Sequence, residues 1–243
     1  MSVTVAGVDG CRGGWLCVLR HADKPFGESA RIFKTIGEIM QHLCAPAIVA
    51  IDIPIGLPER ITGAGRDCDA AARAVLGKRA AAVFAVPARA AIAATSYREA
   101  CAAAMAHSDP PRQVSQQMFG LFAKVREVDD CMTPDLQERV YECHPEAAFW
   151  AMNKGSPLLE PKKKSGRPHV PGLEQRRELL LSEGYCGRFL SETKFSASHA
   201  GPDDFLDACA CAWTASRIFR GEAVRFPADP QSDSKGLRME ILA

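Results

Sequence analysis

Seven consecutive residues, Ala47-Ile48-Val49-Ala50-Ile51-Asp52-Ile53, are apolar on both alternating faces except at Asp52. A strand of this pattern needs cover on both faces, which places it centrally in a parallel or mixed sheet flanked by helices. Pro54, Gly56 and Pro58 stop it. Upstream, residues 3–8 form an apolar run ending at Asp9, and Gly10 with Gly13 and Gly14 permits a tight reversal. Residues 15–19 then read as a strand paired back on the first. A polar loop through Asp23, Lys24, Pro25 and Gly27 leads to a weaker strand over 30–33. Ile36, Ile39, Met40 and Leu43 follow at helical spacing until Pro46. The order is a three-strand meander, a crossover helix and a buried strand. A right-handed crossover places that fourth strand parallel to the first and beside it. Asp9 and Asp52 then share the carboxyl-terminal edge of adjacent strands, where open α/β sheets form their binding crevices.

The middle of the chain reads as helical. Helices are expected over 66–76, closed by Gly77, then over 97–107 and 114–128, with breaks at Pro110-Pro111 and Pro134. Residues 83–86 fit a short strand or a loop. Residues 140–143 read as a strand, followed by His144-Pro145-Glu146 and a short helix through Trp150. Residues 153–172 read as a loop carrying Lys162, Lys163, Lys164 and Arg167. Helices over 173–183 and about 203–219 and a C-terminal tail complete the chain. With no repeat and no linker, the expected organisation is one domain over 1–243. It carries a helical insertion around 59–138 and a basic loop around 153–172.

Composition narrows the function classes. Thirty Lys and Arg against 29 Asp and Glu give a net charge of +1, which excludes a globally basic nucleic-acid coat but not a local basic groove. Hydrophobic residues at 47% and charged residues at 24% are globular values. No apolar run approaches the roughly 20 residues of a membrane span. The first residues lack the basic-then-apolar layout of a signal peptide, so a cytoplasmic protein with no membrane partner is expected. The ten cysteines show no Cys-x-x-Cys spacing and read as buried free thiols rather than a disulfide framework or a zinc site.

The chemistry concentrates in carboxylates. Asp52 is costly to bury unpaired within its apolar run and calls for a partner or an ion. Asp9 ends a strand where turn chemistry alone would also accept Asp. Asp204 and Asp207, three apart, lie on one face of the last helix, although acids in a first turn also complement the helix dipole, with Asp203 as a possible N-cap. Oxygen donors without companion histidines suit Mg²⁺ or Mn²⁺. Two such ions about 4 Å apart can activate water and stabilise the leaving oxygen of a phosphodiester. Glu142 and His144 share a face of an extended segment. Glu142 is a further candidate metal ligand or an arginine partner, and His144 either holds a water or caps a helix. Gly10-Cys11-Arg12-Gly13-Gly14 fits neither glycine-rich phosphate fingerprint, but Arg12 suits an oxyanion contact. Lys164 and Arg167 fit either a polyanion track or a solvated loop.

Four segments carry a resemblance: residues 7–15 (GVDGCRGGW), 51–58 (IDIPIGLP), 142–146 (ECHPE) and 203–208 (DDFLDA). With Arg66-Asp67-Cys68-Asp69, Ser115-Gln116-Gln117 and residues 124–129 (KVREVD), they make the chain similar to the domain-of-unknown-function family numbered 429, described as predicted nucleases of ribonuclease H fold. The resemblance implies a ribonuclease H-like mixed sheet with helical insertions. It also implies a metal-binding set in which Asp9 takes the first-strand role and Asp204 with Asp207 the last-helix role. Asp52 or Glu142 takes the role after the fourth strand. The implied activity is divalent-metal-dependent hydrolysis of a phosphodiester in nucleic acid or another phosphate ester. The alternatives are a non-catalytic ligand- or protein-binding module, or an actin-like phosphotransferase. The oligomeric state stays open, a homodimer included.

Overall fold

The computed structural model describes residues 2–24, 27–41 and 46–243, so Pro25 of the polar loop and Leu43 of the crossover helix fall outside it. Strands β1 (Thr4–Cys11) and β2 (Gly14–His21) pair antiparallel without interruption, from Thr4 opposite His21 to Cys11 opposite Gly14. The reversal needs glycine at 14: φ is +131°, and a Cβ there would overlap the carbonyl oxygen of Phe33. Strand β3 (Ser29–Phe33) joins β2 antiparallel. The crossover carries helix α1 (Ile36–Met40), whose Thr35 N-cap side chain accepts the Glu38 N–H at 3.3 Å.

Strand β4 (Val49–Asp52) lies parallel to β1, and β5 (Val140–Glu142) lies parallel to β4. The sheet order is β3-β2-β1-β4-β5; the meander and crossover called for the first four places, and β5 adds to the far side of β4. Asp9 stands opposite Asp52, and Ile51 opposite Glu142. Three acidic residues therefore end adjacent parallel strands at one edge.

Side chains alternate across the sheet, and each face is covered. Val8, Trp15, Val49 and Ile51 pack with Met118, Phe122 and Val125 of α4 (Gln116–Cys131), the helix after α2 (Asp67–Leu76) and α3 (Tyr97–Ala106). Val5, Leu16, Val18 and Ala50 face the opposite layer. That layer comprises α5 (Pro145–Met152), α6 (Val170–Ser182) and α7 (Pro202–Arg220). From Phe205 to Ser216 every residue of α7 is buried, and the small residues from Ala208 to Ala212 lie where the helix comes closest to the sheet. The closest approach is at Gly7, where a Cβ would overlap backbone atoms of Ala208 and Ala212.

Of the two readings for residues 83–86, the structure has the loop. Two local expectations change. The loop expected over 153–172 ends at His169, because Pro171 suits the first turn of α6, and it contains a small hairpin pairing Lys163–Lys164 with Arg167–Pro168. The C-terminal segment is no free tail: Arg225–Phe226 pairs with Ile241–Leu242, and Leu242 bridges Cys143 beside β5, covering that edge of the sheet. The cysteines recorded among the described residues are free, and most are buried. No helix of the described residues is long and apolar enough to cross a membrane.

Candidate functional site

The carboxyl edge of β1, β4 and β5 opens into a cavity of about 590 Å³. Asp9, Asp52 and Asp207 line it, joined by Glu142, His144, Asp204 and Lys162. Register places Asp9 beside Asp52, and the first turns of α7 bring Asp207 against them. Among the described residues, no hydrogen bond reaches the side chain of Asp9 or Asp52. Asp207 is 2% exposed and its Oδ1 has no partner. Burial, then the neighbouring Asp52 and Asp207, push Asp9 well above the usual carboxylate range. Burial raises Asp52 to about 7, against the pull of Lys162. Asp207 is raised for the same first reason.

Lys162 enters this cluster directly. The Nζ of Lys162 donates to Asp207 Oδ2. Burial by itself would depress the Lys162 ammonium, but Asp207, Asp9 and Asp52 raise it, so it is charged throughout the ordinary pH range. Three buried carboxyl groups thus face Lys162, and their raised pKa values show that protons or a cation must offset the charge that the ammonium leaves. Lys162 was visible in the sequence only as one member of a lysine run, with nothing to separate it from Lys163 and Lys164. Its placement depends on how the loop is anchored. His169 N–H donates to Lys162 O at 2.9 Å, Arg176 Nη1 donates to Glu160 O at 3.0 Å, and Gly172 lets α6 pack directly on Pro161 O.

The other acidic side chains have partners within the protein, although Asp204 also lines the cavity and the hollow beside it. The Glu142 carboxylate takes Arg66 at 2.7 and 2.9 Å and the Ile55 N–H at 2.7 Å. Arg66 also binds Asp69 and donates to the carbonyls of Ile55 and Gly56. Glu142 is therefore the arginine partner of the two readings, and the Arg66 cluster pins the chain just beyond β4. The second strand acid left facing the cavity without a partner is Asp52. Asp204 accepts the Gly201 N–H at 2.8 Å, and Gly201, not Asp203, is the N-cap; Asp203 pairs with Lys163 at 2.5 Å. His144 stands at the N-cap of α5 but makes no capping bond; Nε2 lies 3.2 Å from Ala82 O, and Nδ1 is buried without a partner. Burial lowers its pKa, which keeps the imidazole neutral near pH 7.

A second hollow of about 770 Å³ adjoins the first, sharing Gly10, Lys124, Lys163, Asp203 and Asp204. Arg12, Arg177 and Lys194 line it as well. Arg12 donates to Ala197 O at 3.0 Å on the exposed wall of this groove. Lys164 and Arg167 line neither hollow; Lys164 reaches Glu160 at 3.4 Å. The hairpin turns them to solvent and its preceding residues inward.

Among the described residues, no three carboxylate, imidazole or thiol groups form a ready-made cage for one ion. Mg²⁺ needs none, since it is commonly held through one or two carboxylates with waters and substrate phosphates completing its shell. The oxygen-only donors Asp9 and Asp52 and the orphaned Asp207 Oδ1 fit such an ion.

The fold and this edge define a mixed α/β protein with an acidic cleft at the carboxyl ends of its parallel strands. The chain belongs to the DUF429 family, described as proteins of unknown function, whose model matches residues 7–232. A search of the curated proteins and of the solved structures finds no match to it.

Proposed function

We propose that this chain is a divalent-cation-dependent phosphodiester hydrolase of ribonuclease H-like fold. The observation that carries the reading is the meeting of Asp9, Asp52 and Asp207 in one sheltered cleft, with the Lys162 ammonium against Asp207. Buried carboxylates in excess of their partners either hold protons or gather a cation. The strand order β3-β2-β1-β4-β5, with β2 antiparallel, supports the fold part of the reading.

Asp9, Asp52 and Asp207 would hold Mg²⁺ or Mn²⁺. Such an ion supplies Lewis acidity at a phosphoryl oxygen and lowers the pKa of a bound water. The protein's own groups do the rest. Lys162 offers positive charge at the floor of the cleft, and neutral His144, on its wall, has an imidazole nitrogen free to take a proton. Arg12, Lys124 and Lys194 line the adjoining groove, where the flanking phosphates of a nucleic acid or another phosphate ester would lie.

The test is calorimetric titration with Mn²⁺ together with cleavage of a labelled oligonucleotide and of a simple phosphodiester. Wild-type protein should bind the ion and cleave. D9N and D52N should keep their fold by circular dichroism yet lose at least about 100-fold in rate, the scale of a transition-state charge contact. Undiminished cleavage in either variant overturns the proposal. The Lys162–Asp207 contact favours one other reading, a non-catalytic binding module, and absence of Mn²⁺ binding would select it.

A further inference from the structure

Lys162 is not placed like a surface lysine. Its side chain is 27% exposed and meets Asp207, whose own side chain is 3% exposed. The residues around it are tied down on both sides. Arg176, with a side chain wholly buried, holds the Glu160 carbonyl at 3.0 Å and pairs with Glu146. On the other side His169 holds the Lys162 carbonyl, and Lys163 is paired with Asp203 at 2.5 Å. At Gly172 the backbone of α6 lies so close to Pro161 that any side chain would collide with it. Lys162 thus points into the cleft from a rigid base.

Charge counting then limits what else the cleft accepts. Ionised around a bound cation, Asp9, Asp52 and Asp207 bring three negative charges, and Lys162, in contact with Asp207, returns one. The remainder matches one dication. A second dication would sit among like charges, repelled by Lys162 twice as strongly as a monovalent ion would be. Asp207 Oδ2 is already taken by Lys162, while the buried Oδ1 has no hydrogen-bond partner.

We infer that Lys162 is a resident cation standing where a second divalent ion would otherwise sit, so that the centre binds one divalent ion per chain. This rests on the metal-dependent reading above. In a two-ion site the second ion would neutralise charge on the far side of the phosphoryl group. Here the Lys162 ammonium would supply that positive charge, and it also holds Asp207 in place.

The full-length chain is titrated calorimetrically with Mn²⁺ alone, and the loaded protein is examined by electron paramagnetic resonance, where two neighbouring Mn²⁺ ions show exchange coupling. Wild type and K162R should bind one Mn²⁺ with an uncoupled spectrum; K162M should bind two, with coupling. Two ions in the wild type, or only one in a folded K162M, overturns the role of Lys162 while leaving the metal site standing. No Mn²⁺ in the wild type overturns the metal-dependent reading itself. Should K162M fail to fold, the wild-type count and spectrum decide alone.

Discussion

At the scale of single residues, the cleft depends on side chains outside it. Glu146 shows this best. Burial would raise its pKa, but the guanidinium groups of Arg176 and Arg79 outweigh burial and hold it at about 2 instead of 4.5. Its folded-state pKa is depressed, so its contribution is present above pH 4.5 and is lost as pH falls toward 2. The size of that shift corresponds to about 3 kcal/mol. E146Q should therefore lose about 3 kcal/mol of stability at pH 7. It should also show a flatter acid-denaturation profile over that window than wild type, measured by urea unfolding at a series of pH values. An equal pH slope in both proteins would show that the Arg176 contact contributes nothing. Because Arg176 also holds the Glu160 carbonyl, the same variant should loosen the anchor of Lys162.

Elements are positioned by contacts that leave no room for change. Helix α7 lies so close to β1 that Gly7 is the only residue type accommodated there. G7A should push the helix off the sheet and cost about 3 kcal/mol or more, at the upper end of overpacking effects, as read by thermal and urea unfolding. An unchanged melting temperature would contradict this packing. The segment 124–129 works the same way for α4. Lys124 donates to Gly14 O at 2.5 Å and lies over the Trp15 ring, Arg126 holds the carbonyls of Ile92 and Ala94, and Glu127 accepts from Trp15 Nε1 and from the Ile36 N–H. Asp129 pairs with Arg89 and Lys235. These residues carried part of the family resemblance, and most of their contacts are fastenings between α4, the meander and the C-terminal segment.

For the whole molecule, an excess of buried carboxylate is a cost to the fold that a bound cation offsets. Saturating Mn²⁺ or Mg²⁺ should raise the melting temperature of the wild type, by the equivalent of about 2.7 kcal/mol at 100 times the dissociation constant. D52N should be more stable than wild type without metal and should lose most of the metal-dependent gain. A melting temperature that ignores both ions in the wild type would count against the site as a cation centre. The measurement needs no substrate.

Much of this was readable in one dimension. The apolar run before Asp52, the glycine reversal after Asp9 and the spacing of Asp204 and Asp207 are local patterns, and strand period and crossover handedness carry them to one sheet edge. Those patterns by themselves determined the order of the first four strands and the pairing of Asp9 with Asp52. They could not separate Asp52 from Glu142, because Arg66 lies 76 residues from Glu142 and only folding brings them together. Nor could they distinguish Lys162 from Lys163 and Lys164. Which lysine enters the cleft was decided by Gly172, His169 and Arg176 seating the loop against α6. Periodicity records which face a residue occupies, whereas the net charge of a cleft depends on which distant side chains meet there, and only tertiary packing determines that.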